Sequence, residues 1–112
     1  MVDIESRLVA WLNASTGIEW HGDVPERRPD EFGTLERTGG GISDVVIDSP
    51  EVALQVWAPT RSRAKDLAIE VCRVLPRFAY EPGIRKAVVD SAYNFPDGKR
   101  ARYQITAHFK TV

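Results

Sequence analysis

The side chains of this chain that could do chemistry are few and scattered. His21, His108 and Cys72 are of the types that bind transition metals, yet they fall on three separate stretches without the short spacings of a zinc site. No metal ligand is assigned. Cys72, the one cysteine, excludes an intrachain disulfide and flanks the apolar stripe of an expected helix, where a thiol behaves as a small hydrophobe. Asp30 and Glu31 are adjacent carboxylates, but they stand beside prolines and arginines in an expected surface loop, not in an apolar setting that would raise a pKa for acid catalysis. The run Gly39-Gly40-Gly41 invites comparison with a phosphate-binding loop. Such a loop ends in a lysine and a hydroxyl residue that open a helix, whereas this run continues through Ile42-Ser43-Asp44. Neither a catalytic residue nor a cofactor is expected.

What remains is charge. In VALQVWAPTRSRAKDLAIEV (52–71) a strand-like run breaks at a proline, and a helix opens on Arg61, Arg63 and Lys65, although backbone dipoles at that end favour anions. Either these are solvated cations, or they meet an acidic patch on another molecule. The net charge of the 112 residues is −1, but its distribution is uneven. Residues 1–56 carry four arginines against eleven acids, a net of −7; residues 57–112 carry eleven bases against five acids, a net of +6. Opposite flanks suit head-to-tail self-association, in which two different patches of identical subunits meet.

The elements that must position these charges follow from periodicity. Ile4, Leu8, Trp11 and Leu12 recur at helical spacing over 3–14, with Asp3 as N-cap and Gly17 as stop. A strand over 18–20 is expected, then a surface loop over 22–30, whose two prolines forbid an interior strand. A second strand spans 31–38. A mobile glycine-rich loop over about 38–50 leads to a third strand, 52–58, ended by Pro59. Thr60 caps the second helix, in which Ala64, Leu67, Ala68, Val71, Val74 and Leu75 share one face. Ile69 falls on the polar face, where it is either a lone exposed apolar residue or a contact.

The remaining residues read as a hairpin around Pro96-Asp97-Gly98. A three-residue loop sets Val89 opposite Ile105 and Ala87 opposite Ala107, which keeps apolar residues on one face. Tyr103, Ile105, Ala107 and Phe109 then point to the core, and Arg102, Gln104, Thr106, His108 and Lys110 to water. The result is a single α+β domain over 1–112, of order α-β-β-β-α-β-β, with a mainly antiparallel sheet and both helices on one face. The candidate interface comprises Arg61, Arg63, Lys65, Ile69, Gly39, Gly40, Gly41, Arg102 and His108. Apolar runs of a few residues fall far short of the roughly 20 needed to cross a bilayer, the N-terminus lacks a signal pattern, and the chain is expected to fold in the cytosol.

Two resemblances bear on function. The order α-β-β-β-α, with Arg61-Ser62-Arg63-Ala64-Lys65 at its second helix, looks like a double-stranded RNA-binding domain. Against it stand the added C-terminal hairpin and the acidic first half, which repels phosphates. Over most of its length the chain resembles the phage tail terminator, or tail-completion, family. The likeness rests on VDIESRLVAWL, on DVPERRPDEF after a short strand, on ERTGGG, and on LQVWAPTRSRAKDLAIEV with Gln55, Trp57, Thr60, Arg61 and Ala64 in place. It implies a structural virion protein of the tail neck, assembled in the host cytoplasm as a ring, commonly of six copies. Such a ring ends polymerisation of the tail tube protein and receives the head-tail connector, without cofactor, membrane or sequence-specific nucleic acid. Head-closure and adaptor proteins of the same neck region are the neighbouring alternative. Within this reading Arg61, Arg63 and Lys65 are interface charges, and Trp57 is either core or an aromatic anchor.

Overall fold

The computed structural model describes residues 2–42 and 47–112. Helix α1 spans Ile4–Ser15 and begins where Asp3 caps it: one carboxylate oxygen accepts from the Ser6 amide at 3.3 Å and the other from the Ser6 hydroxyl at 2.9 Å. Those bonds, the hydroxyl's first, hold the Asp3 carboxyl below its ordinary range. The helix ends at Thr16, one residue before the expected glycine, with the Thr16 hydroxyl donating to the Leu12 carbonyl at 2.7 Å. Strands β1 (Glu19–His21), β2 (Phe32–Ile42) and β3 (Asp48–Ala58) follow, then helix α2 (Arg61–Val74), a 3-10 segment (Leu75–Tyr80), and strands β4 (Ile84–Asn94) and β5 (Ala101–Thr111). The sheet order is β1-β2-β3-β5-β4, with β1 parallel to β2 and every other pair antiparallel. This is the expected α+β order.

Both helices lie against one sheet face, α1 beside β1 and β2, and α2 across β3, β4 and β5. Ile4, Leu8 and Leu12 of α1 and Ala64, Leu67, Ala68 and Val71 of α2 are buried against Leu35, Val52, Leu54, Val56, Ile105, Ala107 and Phe109. Val74, expected in the stripe, is only half-buried because the chain tightens into the 3-10 segment there.

Trp20 reveals a requirement that periodicity does not show. Its ring is 2% exposed, its indole N–H donates to the Thr16 hydroxyl at 2.9 Å, and it lies over Gly33, its register partner in β2. A Cβ at Gly33 would stand 2.5 Å from the ring. Gly33→Ala is therefore expected to cost about 1 to 3 kcal/mol through overpacking, read as a lowered urea midpoint; an unchanged midpoint would mean that the ring can shift freely.

The glycine run departs from the expected loop. Gly39, Gly40 and Gly41 are strand residues paired with Glu51, Pro50 and Ser49, across a bulge between Arg37 and Gly39. Residues 43–46 of the expected loop lie outside the described residues. Two features make a strand of this run. Gly40 takes φ +90°, and a Cβ there would collide with the Ser49 carbonyl, so only glycine lets the two backbones approach. Arg37 also clips the bulge: its Nε donates to the Gly39 carbonyl at 3.0 Å, and its two Nη atoms donate to the two oxygens of Asp48 at 2.6 and 2.8 Å. β3 thus begins at Asp48, four residues before the expected start.

The terminal hairpin also corrects the expected register. Asp97 and Arg100 exchange both backbone hydrogen bonds around Gly98-Lys99, with Gly98 at φ +58°. This is a two-residue turn with glycine first, as a II′ turn demands. Val89 faces Ala107, Ala87 faces Phe109, and Ala92 faces Ile105. A bulge between Val89 and Ser91 restores the parity that the three-residue loop was meant to supply. Ala87 and Val89 keep the expected face, two residues along from the expected partners.

Candidate functional site

The sheet face opposite the helices is the most distinctive surface of the molecule. Strand register places on it, from the hairpin end inward, the rows Phe32-Trp57-Arg102-Phe95, Thr34-Gln55-Gln104-Tyr93 and Glu36-Ala53-Thr106-Ser91, then Glu51, His108 and Val88. Alternation leads one to expect a wet face. Half of it is dry instead. Gly22, Asp23 and Val24 line a cleft with Thr34, Ala53 and Gln55, and Arg28, Pro29 and Asp30 line another with Phe32 and Trp57. The crossover that makes β1 parallel to β2 therefore runs over this face, and Phe32, Trp57, Thr34 and Ala53 are buried beneath it.

The first row forms a stack. The Phe32 and Trp57 rings lie 4.8 Å apart and 8° from parallel. The Arg102 guanidinium sits 5.3 Å from the Trp57 ring and 4.7 Å from the Phe95 ring, and its Nε donates to the Phe95 carbonyl at 2.7 Å. Tyr93 meets Phe95 edge-on at 5.9 Å. A cation held between two aromatic faces is fixed in direction. The Arg102 Nη atoms make no hydrogen bond or ion pair among the described residues. Trp57 is thus buried, but in a small cluster of its own rather than in the helix-side core, and its indole N–H has no acceptor among the described residues.

The second row is a directional hydrogen-bond ladder. Thr34 donates to Gln55 at 3.4 Å, Gln55 to Gln104 at 2.9 Å, and Gln104 to the Tyr93 hydroxyl at 2.7 Å. Its far end is the exposed edge of β4. In the third row the Ser91 and Thr106 hydroxyls share a hydrogen bond. His108 Nδ1 lies 2.8 Å from both oxygens of Asp90, the bulged residue, and so carries the proton on that nitrogen.

The candidate interface residues are dispersed by the fold. Arg61, Arg63, Lys65 and Arg102 lie at the hairpin end of the sheet, the first three on the helix side and Arg102 on the opposite face. Arg63 is committed within the chain: its guanidinium binds both oxygens of Glu31, with Nη2 to Oε1 at 3.1 Å. That hydrogen bond holds the Glu31 carboxyl below its ordinary range. The basic mouth of α2 therefore already carries an acid beside it, and the Thr60 hydroxyl accepts from the Arg63 amide at 3.2 Å. Arg61 and Lys65 are exposed and unpaired among the described residues. Ile69 is 40% exposed in a shallow depression among Arg63, Asp66, Glu70 and Arg73. Gly39, Gly40 and Gly41 belong to the other end of the sheet, and His108 stands there too, in the row of Gly39 and Glu51.

Among the described residues no group of three His, Cys, Asp or Glu side chains is placed to hold a metal ion, and no helix is long and apolar enough to cross a membrane. Burial pushes the Cys72 thiol above its ordinary range, which disfavours the thiolate that a nucleophile needs. Compared with known proteins, the chain matches no protein-family model and no curated sequence. Sequence reasoning missed Phe32, Phe95, Lys99, Arg100 and Arg28 as parts of this surface. Its one available signal was the concentration of aromatic and basic residues at the two ends of the hairpin, Tyr93 to Phe95 and Lys99 to Arg102.

Proposed function

We propose that the chain is the subunit of a ring, of six copies, that caps a phage or prophage tail tube, ends its polymerisation and offers a docking surface to the head connector. The observation that carries this reading is the face built on Trp57, Arg102 and Phe95. A rigid arginine framed by aromatic rings, beside a hydrogen-bond ladder whose Tyr93 end is exposed, is the composition of a protein contact surface. The shape supports it as well. The hairpin residues from Ser91 to Arg100 are all exposed, and the molecule extends 43 × 26 × 23 Å. The resemblance in order and spacing to tail terminators, with the α-β-β-β-α-β-β order that it implies, supplies the specific role. No reaction is assigned to the chain.

Light scattering behind a sizing column, over a range of protein and salt concentrations, tests the reading. A ring-sized species, or a monomer that moves toward one on concentration, is the expected result. A chain that stays monomeric and also fails to bind the ends of tail tubes would overturn it.

A further inference from the structure

The cleft beside the stack has a definite electrostatic sign. Its volume is about 320 Å³, and its charged walls are Arg28, Lys99 and Arg100 against the single acid Asp30. Trp57, whose indole N–H has no partner among the described residues, forms part of the lining. Arg28, Lys99 and Arg100 are exposed and make no hydrogen bond or ion pair through their side chains among the described residues. Further along the same sheet face, a second cleft of about 170 Å³ has the opposite sign. Its charged walls are Asp23 and Glu36, with no base, and Glu51 follows in the next row. Asp23, Glu36 and Glu51 likewise make no ion pair among the described residues.

We propose that the basic cleft is a carboxylate socket for a second copy of this chain, in which Lys99, Arg100 and Arg28 of one subunit receive Asp23 and Glu36 of the next. Charge complementarity between two patches of one surface makes a second copy the occupant. Among the described residues each patch keeps an excess of one sign, and that sign is the one the other patch lacks. The fixed Arg102 stack beside the socket supplies a rigid aromatic centre, and the turn residues form a charged rim around it. The pairing rests on the ring reading for its closure but not for its chemistry.

The test uses two variants of the full chain, Lys99→Glu/Arg100→Glu and Asp23→Lys/Glu36→Lys. All four positions are exposed, so both variants should melt like the wild type. Mass is then measured by light scattering at low salt for each protein and for their mixture. Each variant alone is expected to associate at least about tenfold more weakly than the wild type, and the equimolar mixture to regain association, because the reversed charges complement one another. In 0.5 M salt the wild type should lose most of its association. Wild-type association untouched by either variant, or a mixture that stays monomeric, overturns the proposal. So does a wild type that is monomeric throughout while Lys99→Glu/Arg100→Glu abolishes binding of a duplex RNA or DNA oligonucleotide, which would make the socket a phosphate site. The mass of the restored complex separates the two readings. A ring supports both, whereas a complex that stops at two copies upholds the socket and removes the ring.

Discussion

Changing Leu67 to aspartate is expected to leave the domain unfolded in buffer. Leu67 is 4% exposed, in the middle of the α2 stripe, and packs with Ala64, Ala68 and Val71 into the single helix-side core. The substitution removes about 1.5 to 3 kcal/mol of burial and places a carboxylate in the core, where the nearby Arg63 is already bound to Glu31, a cost of several kcal/mol more. A domain of this size has only about 5 to 15 kcal/mol in total. Circular dichroism during a thermal melt decides the matter: absence of a cooperative transition is expected, and a native-like melt would refute the placement of this face. Ile69→Asp is the matched control. At 40% exposure on the polar side of the same helix, it should change stability by no more than about 0.5 kcal/mol.

Replacing Arg37 with alanine is expected to cost about 3 to 5 kcal/mol, because it strands a buried carboxylate. Asp48 is 1% exposed, and Arg37 supplies two of its hydrogen bonds while tying down the Gly39 carbonyl. In the wild type the Arg37 hydrogen bonds hold the Asp48 carboxyl below its ordinary range. A carboxylate depressed in this way contributes stability that is full above the unfolded pKa, about 3.9, and is lost as the pH falls through the folded value. In Arg37→Ala the sign reverses. Burial without a cation raises the Asp48 pKa, so the variant is penalised most near pH 7, and its deficit shrinks as the pH approaches 4. Urea melts of the two proteins from pH 7 to pH 4 measure this difference. A deficit constant across that range would show that Asp48 finds another partner, and a deficit below about 1 kcal/mol would place the pair among exposed ion pairs.

The features legible in the sequence are those whose causes lie within a few residues. Asp3 and Thr60 stand one residue before the helices they cap, and the α2 stripe is set by the helical period alone, so both could be read directly. The glycine run could not. Whether three glycines form a loop or a strand depends on Arg37 finding Asp48 and on the close approach of Ser49 to Gly40, and those partners come from another strand. The hairpin shows an intermediate case, because parity is a local property and register is not. Ala87 and Val89 take the face their alternation predicts, while the bulge near Asp90 and the Gly98-Lys99 turn set the partners. The stack was hidden for the same reason as the glycine strand. Phe32, Trp57, Phe95 and Arg102 come from four separate segments, and no spacing between them announces that their rings meet. Arg63 likewise looks unpaired until the chain brings Glu31 to it.

The central seam of the sheet sets the order in which the chain must fold. β2 with β3, and β4 with β5, are each joined through nearby chain, but β3 and β5 meet only across α2, the 3-10 segment and the whole of β4. Gln55 and Gln104, which bond across that seam, are 49 residues apart. Closing such a loop costs roughly 3 kcal/mol or more in chain entropy before any contact repays it. Two hairpins should therefore form early, and the barrier should lie at their docking, with α2 as the piece that holds both. Until that seam closes, β3 exposes a long unpaired edge rich in valine and leucine, the kind of edge that pairs with the wrong chain. Slow seam closure at high protein concentration should then divert molecules into aggregates, which makes the β3–β5 seam, more than the exposed socket, the site that governs the yield of refolded protein.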